Sequence, residues 1–148
     1  MKLTAAVARE RFERARVARL ATVSGSGAPH LVPVTFAVID PGNGDPATDA
    51  GLIVFAVDHK PKSTSALRRL DNIAANPLVC FLVDHYADDW DLLWWCRADA
   101  VAAVLDGDVR TLAIDALRSK YPQYEQRPPT GVVVGCAVTG WSGWRAAA

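Results

Sequence analysis

Between Arg19 and Thr139 the apolar residues fall into short runs separated by turn residues, and this segmentation limits the fold more than any other feature of the chain. The runs are Arg19–Val23, His30–Ile39, Leu52–Val57, Leu78–Val83, Trp94–Leu105 and Gly131–Thr139, most of them rich in β-branched or aromatic residues. Ser24-Gly25-Ser26-Gly27 joins the first two as a hairpin, and the Gly, Pro, Asn and Asp content of Asp40–Asp49 makes that stretch an exposed connection. Three helical patterns interrupt the strands. Thr4 caps the first, which places Leu3, Val7, Phe12 and Ala15 on one face. The second keeps Leu67, Leu70 and Ile73 on one side and Arg68, Asp71 and Asn72 on the other, and stops at Asn76-Pro77. The third brings Val109, Leu112, Ala116, Leu117 and Tyr121 into register and ends at Pro122. Five to seven strands joined mostly by turns predict a mainly β (α+β) fold, an antiparallel barrel or sandwich with helices packed outside. A doubly wound parallel sheet would alternate strand and helix and carry a Gly-rich turn after its first strand, and neither pattern is present.

A length of 148 residues fits a single domain over 1–148, and 51% hydrophobic with 22% charged residues is a globular balance. Sixteen Lys and Arg offset sixteen Asp and Glu, so there is no global basic field for nucleic acid or an anionic membrane, and a ligand must be recognised locally. The N-terminus becomes charged before it builds the apolar core of a signal peptide, and no apolar window reaches membrane-spanning length. Cys80, Cys96 and Cys136 lie far apart inside apolar runs and read as reduced, buried thiols, with no Cys-x-x-Cys pair for a metal. These features predict a cytoplasmic protein. There is no Gly-x-Ser-x-Gly elbow, Walker loop or His-Glu-x-x-His helix, and no catalytic nucleophile is named.

The strand Leu52–Val57 runs through Asp58-His59-Lys60-Pro61-Lys62-Ser63-Thr64 into the second helix. Lys60 and Lys62 then sit beside the positive end of a helix dipole, where they oppose the fold slightly. A phosphate there would resolve the conflict, accepting bonds from free N–H groups and from Ser63 or Thr64 while Lys60 and Lys62 neutralise it. The plainer alternative leaves both lysines in solvent and Ser63 or Thr64 as an ordinary N-cap. Asp58-His59 and Asp84-His85 end two similar strands and would suit a metal, although solvent-exposed strand ends are commoner, so no metal is assigned. The five tryptophans read as core or subunit-contact residues ahead of a substrate box.

Arg19-Leu20-Ala21-Thr22-Val23-Ser24, followed by Gly27-Ala28-Pro29-His30-Leu31-Val32-Pro33-Val34-Thr35-Phe36, resembles the opening hairpin of the split-barrel flavin-binding proteins. Leu70-Asp71-Asn72-Ile73-Ala74-Ala75-Asn76-Pro77, Asp89-Trp90 and Gly140-Trp141-Ser142-Gly143-Trp144 follow in the order seen in the deazaflavin-dependent branch of the pyridoxamine-phosphate-oxidase-like superfamily. The resemblance implies an FMN-binding-protein-like split β-barrel, working as a homodimer with its cofactor in a groove between subunits. It also implies coenzyme F420, with FMN as the alternative, and hydride transfer to or from a small substrate. Carried onto this chain, it assigns the cofactor phosphate to Lys60 and Lys62, with Ser63 and Thr64 as hydroxyl donors and Arg69 as a third cation. His59 is a further phosphate contact, Asn72 supports the phosphate loop, and Pro33, Val34 and Thr35 lie along the ring system. An FMN-dependent oxidase or reductase, and a flavin- or haem-binding protein without turnover, are the other readings of the same fold.

Overall fold

A computed structural model of the chain describes residues 1–57 and 64–147, with side chains for all of these except 64–67. The elements are α1 (Ala5–Arg14), β1 (Ala18–Val23), β2 (Pro29–Val34), β3 (Ala37–Ile39), β4 (Leu52–Ala56), α2 (Thr64–Ala75), β5 (Leu78–His85), β6 (Trp94–Val104), α3 (Gly107–Lys120), α4 (Pro122–Gln126) and β7 (Val133–Arg145). Short 3-10 turns fall at Pro46–Thr48 and Trp90–Leu92. Seven strands form one antiparallel sheet in the order β2-β1-β5-β6-β7-β4-β3.

The two edges of this sheet, β2 and β3, are consecutive in the chain and are separated by Thr35 and Phe36 alone. A link that short spans only about 10 Å, so the sheet has to curl until its edges approach. The curl is visible in the core, where Phe55 of β4 and Phe81 of β5 meet at 6.4 Å although β6 and β7 lie between them in the sheet. Hydrogen bonds do not close the barrel, which stays split along the line from Pro33 to Ala37. The run His30–Ile39, expected as one strand, is therefore two strands on opposite edges. Tyr121 supplies the missing pairing at the break: its hydroxyl accepts from the Phe36 N–H at 3.1 Å and lies 2.8 Å from the Arg16 carbonyl and 3.1 Å from that of Phe36.

The main core fills the inside of the curl. Phe12 is its centre, with rings of Phe36 at 4.9 Å, Trp141 at 5.2 Å and Phe81 at 6.2 Å. Full burial of a side chain of this kind stabilises the fold by about 2–3 kcal/mol. Thr4 caps α1 as expected, its hydroxyl accepting from the Val7 N–H at 3.2 Å. The buried residues of α1 are Ala8 and Phe12, however, joined by Leu3 just before the helix, and Val7 is exposed. Gly143 explains the rotation. A Cβ there would lie 2.9 Å from the Trp95 carbonyl, 3.0 Å from Leu3 and 3.3 Å from Ala8, so α1 docks through its smallest residue against a strand position without a side chain.

A second cluster lies on the outer face, where Ala113 and Leu117 of α3 and the following Tyr121 cover Ala37, Leu52, Val54 and Val133. Ile53 and Phe55 face the first core and Leu52 and Val54 the second, which is why β4 reads as an unbroken apolar run. The structure departs from the sequence expectation at several points. The last strand runs from Val133 to Arg145 instead of Gly131 to Thr139, Pro122 opens α4 as well as following α3, and Asn72 is buried. Cys96 and Cys136 are buried, whereas Cys80 is only half-buried. Among the described residues no helix is long and apolar enough to cross a membrane.

Candidate functional site

Four of the ten residues named for the cofactor, Pro33, Val34, Thr35 and Arg69, lie at the split in the barrel. Pro33 and Val34 end β2, Thr35 occupies the crossing to β3, and Arg69 projects from α2 toward them. With Ala56, Val57, Tyr124 and Pro129 they enclose a cleft of about 210 Å³. Curling of the sheet brings the β2 edge close to the end of β4, and α2 leaves from that end, so the topology itself makes the cleft.

Arg69 is the dominant charge. Its guanidinium lies 5.9 Å from the centre of the Phe55 ring, so the side chain crosses apolar surface before reaching the cleft. Burial lowers its pKa from the ordinary arginine value, partly countered by the nearby Tyr124. Its Nε is buried without a hydrogen-bond partner, and among the described residues no carboxylate pairs with it. A half-buried guanidinium whose Nε has no partner, with its N–H donors in a fixed planar fork, matches an oxyanion such as a phosphate. The Thr35 hydroxyl stands on the opposite wall, 3.1 Å from that of Tyr124.

Asn72 lies elsewhere. Its Nδ2 donates to Thr22 Oγ1 at 3.0 Å in the interior, so it pins α2 to β1 and sets where Arg69 emerges one turn earlier. Lys60, Lys62, Ser63 and His59 lie outside the described residues, as does the side chain of Thr64. Of the named residues, the structure thus brings Pro33, Val34, Thr35 and Arg69 together and separates Asn72 from them.

Tyr124 was not singled out in the sequence, because it stands in a polar segment after a proline. A second cleft, of about 660 Å³, opens on its other side between Arg16, Val17, Tyr121, Pro122 and Gln123. Thr35 and Tyr124 line both clefts, and their paired hydroxyls form the partition. No group of three or more metal-ligating side chains occurs among the described residues.

An open, curled seven-stranded antiparallel sheet with helices packed on it is the FMN-binding-like split-barrel fold. The chain belongs to the pyridoxamine 5'-phosphate oxidase family, whose sequence pattern matches residues 4–145. No curated protein matches the sequence. Among solved structures, a conserved hypothetical protein of Mycobacterium tuberculosis is similar, with a TM-score of 0.70, 22% identity, and coverage of 97% of this chain and 86% of the other. A FAD-binding protein of Mesorhizobium loti aligns with a TM-score of 0.69 at 17% identity, over 97% and 95% of the two chains. The haem storage protein of Vibrio cholerae aligns with a TM-score of 0.64 at 17% identity, over 95% and 94%. At these identities the likeness establishes the shared fold.

Proposed function

We propose that this chain is a cytoplasmic F420-dependent oxidoreductase that transfers a hydride between the deazaflavin and a small organic substrate. Arg69 carries the reading. A half-buried guanidinium without a carboxylate partner among the described residues is costly to the fold, and a ligand anion in the cleft offsets that cost. The family and the FAD-binding relative support a flavin-type cofactor. The choice of deazaflavin rests on the ordered sequence segments that resemble that branch, with FMN as the alternative.

A reduced deazaflavin, when bound, supplies two electrons as hydride. The chain then has to bind, orient and exclude water. Arg69 holds the anionic group, and Lys60, Lys62, Ser63, Thr64 and His59 are the further donors proposed from the segment that leads into α2. Pro33, Val34 and Thr35 give an extended backbone edge and a hydroxyl against which a flat ring system rests. No acid or base of the protein is required for the hydride itself.

The same reading makes the working unit a homodimer with the cofactor between subunits. The outer face of β2-β1-β5-β6 supports it. Leu31 is 66% exposed, and the register Pro33–Arg19–Leu82–Arg97 lays a mixed apolar and cationic row across four strands, starting from a residue of the cleft. A subunit packed on this face would complete the open side of the cleft, which fits the large seams of obligate dimers.

Parallel fluorescence titrations with F420 and with FMN test the proposal. Saturable binding of F420, weakened by Arg69→Gln, is expected. Preference for FMN moves the protein to the other cofactor, and binding of neither overturns the reading.

A further inference from the structure

We propose that the second cleft, beyond the Thr35–Tyr124 partition, binds a small organic carboxylate whose anionic end is held by Arg16.

The walls of the cleft point to an apolar body: Tyr121 is buried beneath the Arg16 guanidinium, and Val17, Pro122 and Tyr124 line the cleft beside it.

Arg16 points to the charge. Its Nη2 donates to the Lys120 carbonyl at 2.9 Å and its guanidinium stacks 5.0 Å above the Tyr121 ring, which fixes the fork while leaving its remaining N–H groups free among the described residues. Among the described residues no carboxylate pairs with it: Glu13 is bonded to Arg9 at 2.7 Å, and Glu125 beside Tyr124 is bonded to Arg118 at 3.1 Å. Lys120 adds a second positive charge close by, and the mutual repulsion contributes to lowering its pKa. The local field therefore favours an anion. One guanidinium with a bidentate fork suits a single carboxylate; a di- or triphosphate would call for several converging cations.

Because Thr35 and Tyr124 border both clefts with hydroxyls 3.1 Å apart, the Arg16 cleft is a site separate from the Arg69 cleft, and a ligand there and an anion beside Arg69 can be held at once.

Isothermal titration of the full chain with trans-cinnamate, and with the neutral cinnamamide as control, provides the test. It needs no cofactor, so it separates this assignment from the cofactor reading. Saturable binding of cinnamate is expected, with cinnamamide weaker by about tenfold or more and a similar loss in Arg16→Gln, as for a charge-assisted hydrogen bond. Val17→Glu, at an exposed position outside the core, is expected to abolish binding without unfolding the chain. Cinnamate binding must persist in protein saturated with F420 or FMN. Equal binding of cinnamate and cinnamamide, an unchanged Arg16→Gln, displacement of cinnamate by the cofactor, or no saturable binding in the millimolar range would each overturn the proposal. If neither cofactor binds while cinnamate binds through Arg16, the cofactor reading fails and the carboxylate pocket stands.

Discussion

Asn72 and Thr22 lie 50 positions apart, are both buried, and share a 3.0 Å hydrogen bond inside the barrel. The bond ties the helix that carries Arg69 to the strand next to the sheet edge. Removing the donor leaves the Thr22 hydroxyl buried without it, so Asn72→Ala is expected to lower stability by about 1–3 kcal/mol. Urea denaturation of Asn72→Ala, Thr22→Val and the double variant measures the coupling. A coupling energy indistinguishable from zero would show that the bond contributes nothing to the fold.

Tyr121 closes the break between the two edge strands with one hydroxyl. Tyr121→Phe keeps the ring in its apolar site and removes only the oxygen that serves the Phe36 backbone and the Arg16 carbonyl. Buried backbone groups left unpaired cost about 1–3 kcal/mol. The expected result is a lower urea midpoint with an unchanged slope, together with faster amide exchange at Phe36. Normal protection of that amide in the variant would mean that another group pairs it.

The sheet was legible from Leu20, Phe55, Phe81 and Val134 because their strands alternate or run apolar between clear turns. The break at Thr35–Phe36 was hidden, since both residues suit a strand and the apolar pattern continues through them into Ala37. What divides the run is the closure of the sheet, a property of all seven strands together. Gly140 and Gly143 similarly mask the end of β7: glycine weakens a strand pattern, yet Gly143 is there because Leu3, Ala8 and the Trp95 carbonyl leave no room for a Cβ. At the site, Arg69 and Pro33–Thr35 could be found through their segments. Asn72 could not be placed, because a polar residue on a helix reads as exposed unless its partner, here Thr22, is known. Pro122 carried an ambiguous signal, as proline both stops one helix and suits the first turn of the next, and Tyr124 went unnoticed with it.

Lys120 gives the fold a pH dependence of predictable sign. Its ammonium donates to the Glu13 carbonyl at 3.1 Å and sits 3.8 Å from the Phe36 ring centre, yet burial and then Arg16 pull its pKa down from 10.5 to about 8. Between those two values the unfolded chain holds a proton that the folded chain has released. Stability therefore rises with pH across that window, and the cost of the buried charge is fully present below it. With solvent screening of a half-exposed group the gain is roughly 1 kcal/mol. Lys120→Met lacks this titration, so the difference in unfolding free energy between wild type and variant is expected to shift in favour of wild type from pH 8 to pH 10. A difference that stays constant over the range would place the Lys120 pKa back at its ordinary value.

Arg69 separates stability from binding. Its Nε is buried without a partner and its charge is partly desolvated, so the folded chain carries a group that contributes little to its own stability. Methionine has similar length, covers Phe55 with apolar atoms and needs no partner. Arg69→Met is therefore expected to leave the urea midpoint unchanged or raise it, by up to about 1 kcal/mol. The same substitution removes the cation proposed to hold the cofactor's anionic group, and cofactor binding is expected to weaken by about tenfold or more. Thermal melts of both proteins, with and without F420 and FMN, read the two effects together. A variant that melts lower without cofactor would show that Arg69 is a structural residue, and an unchanged cofactor affinity would move the anion site toward the segment before α2.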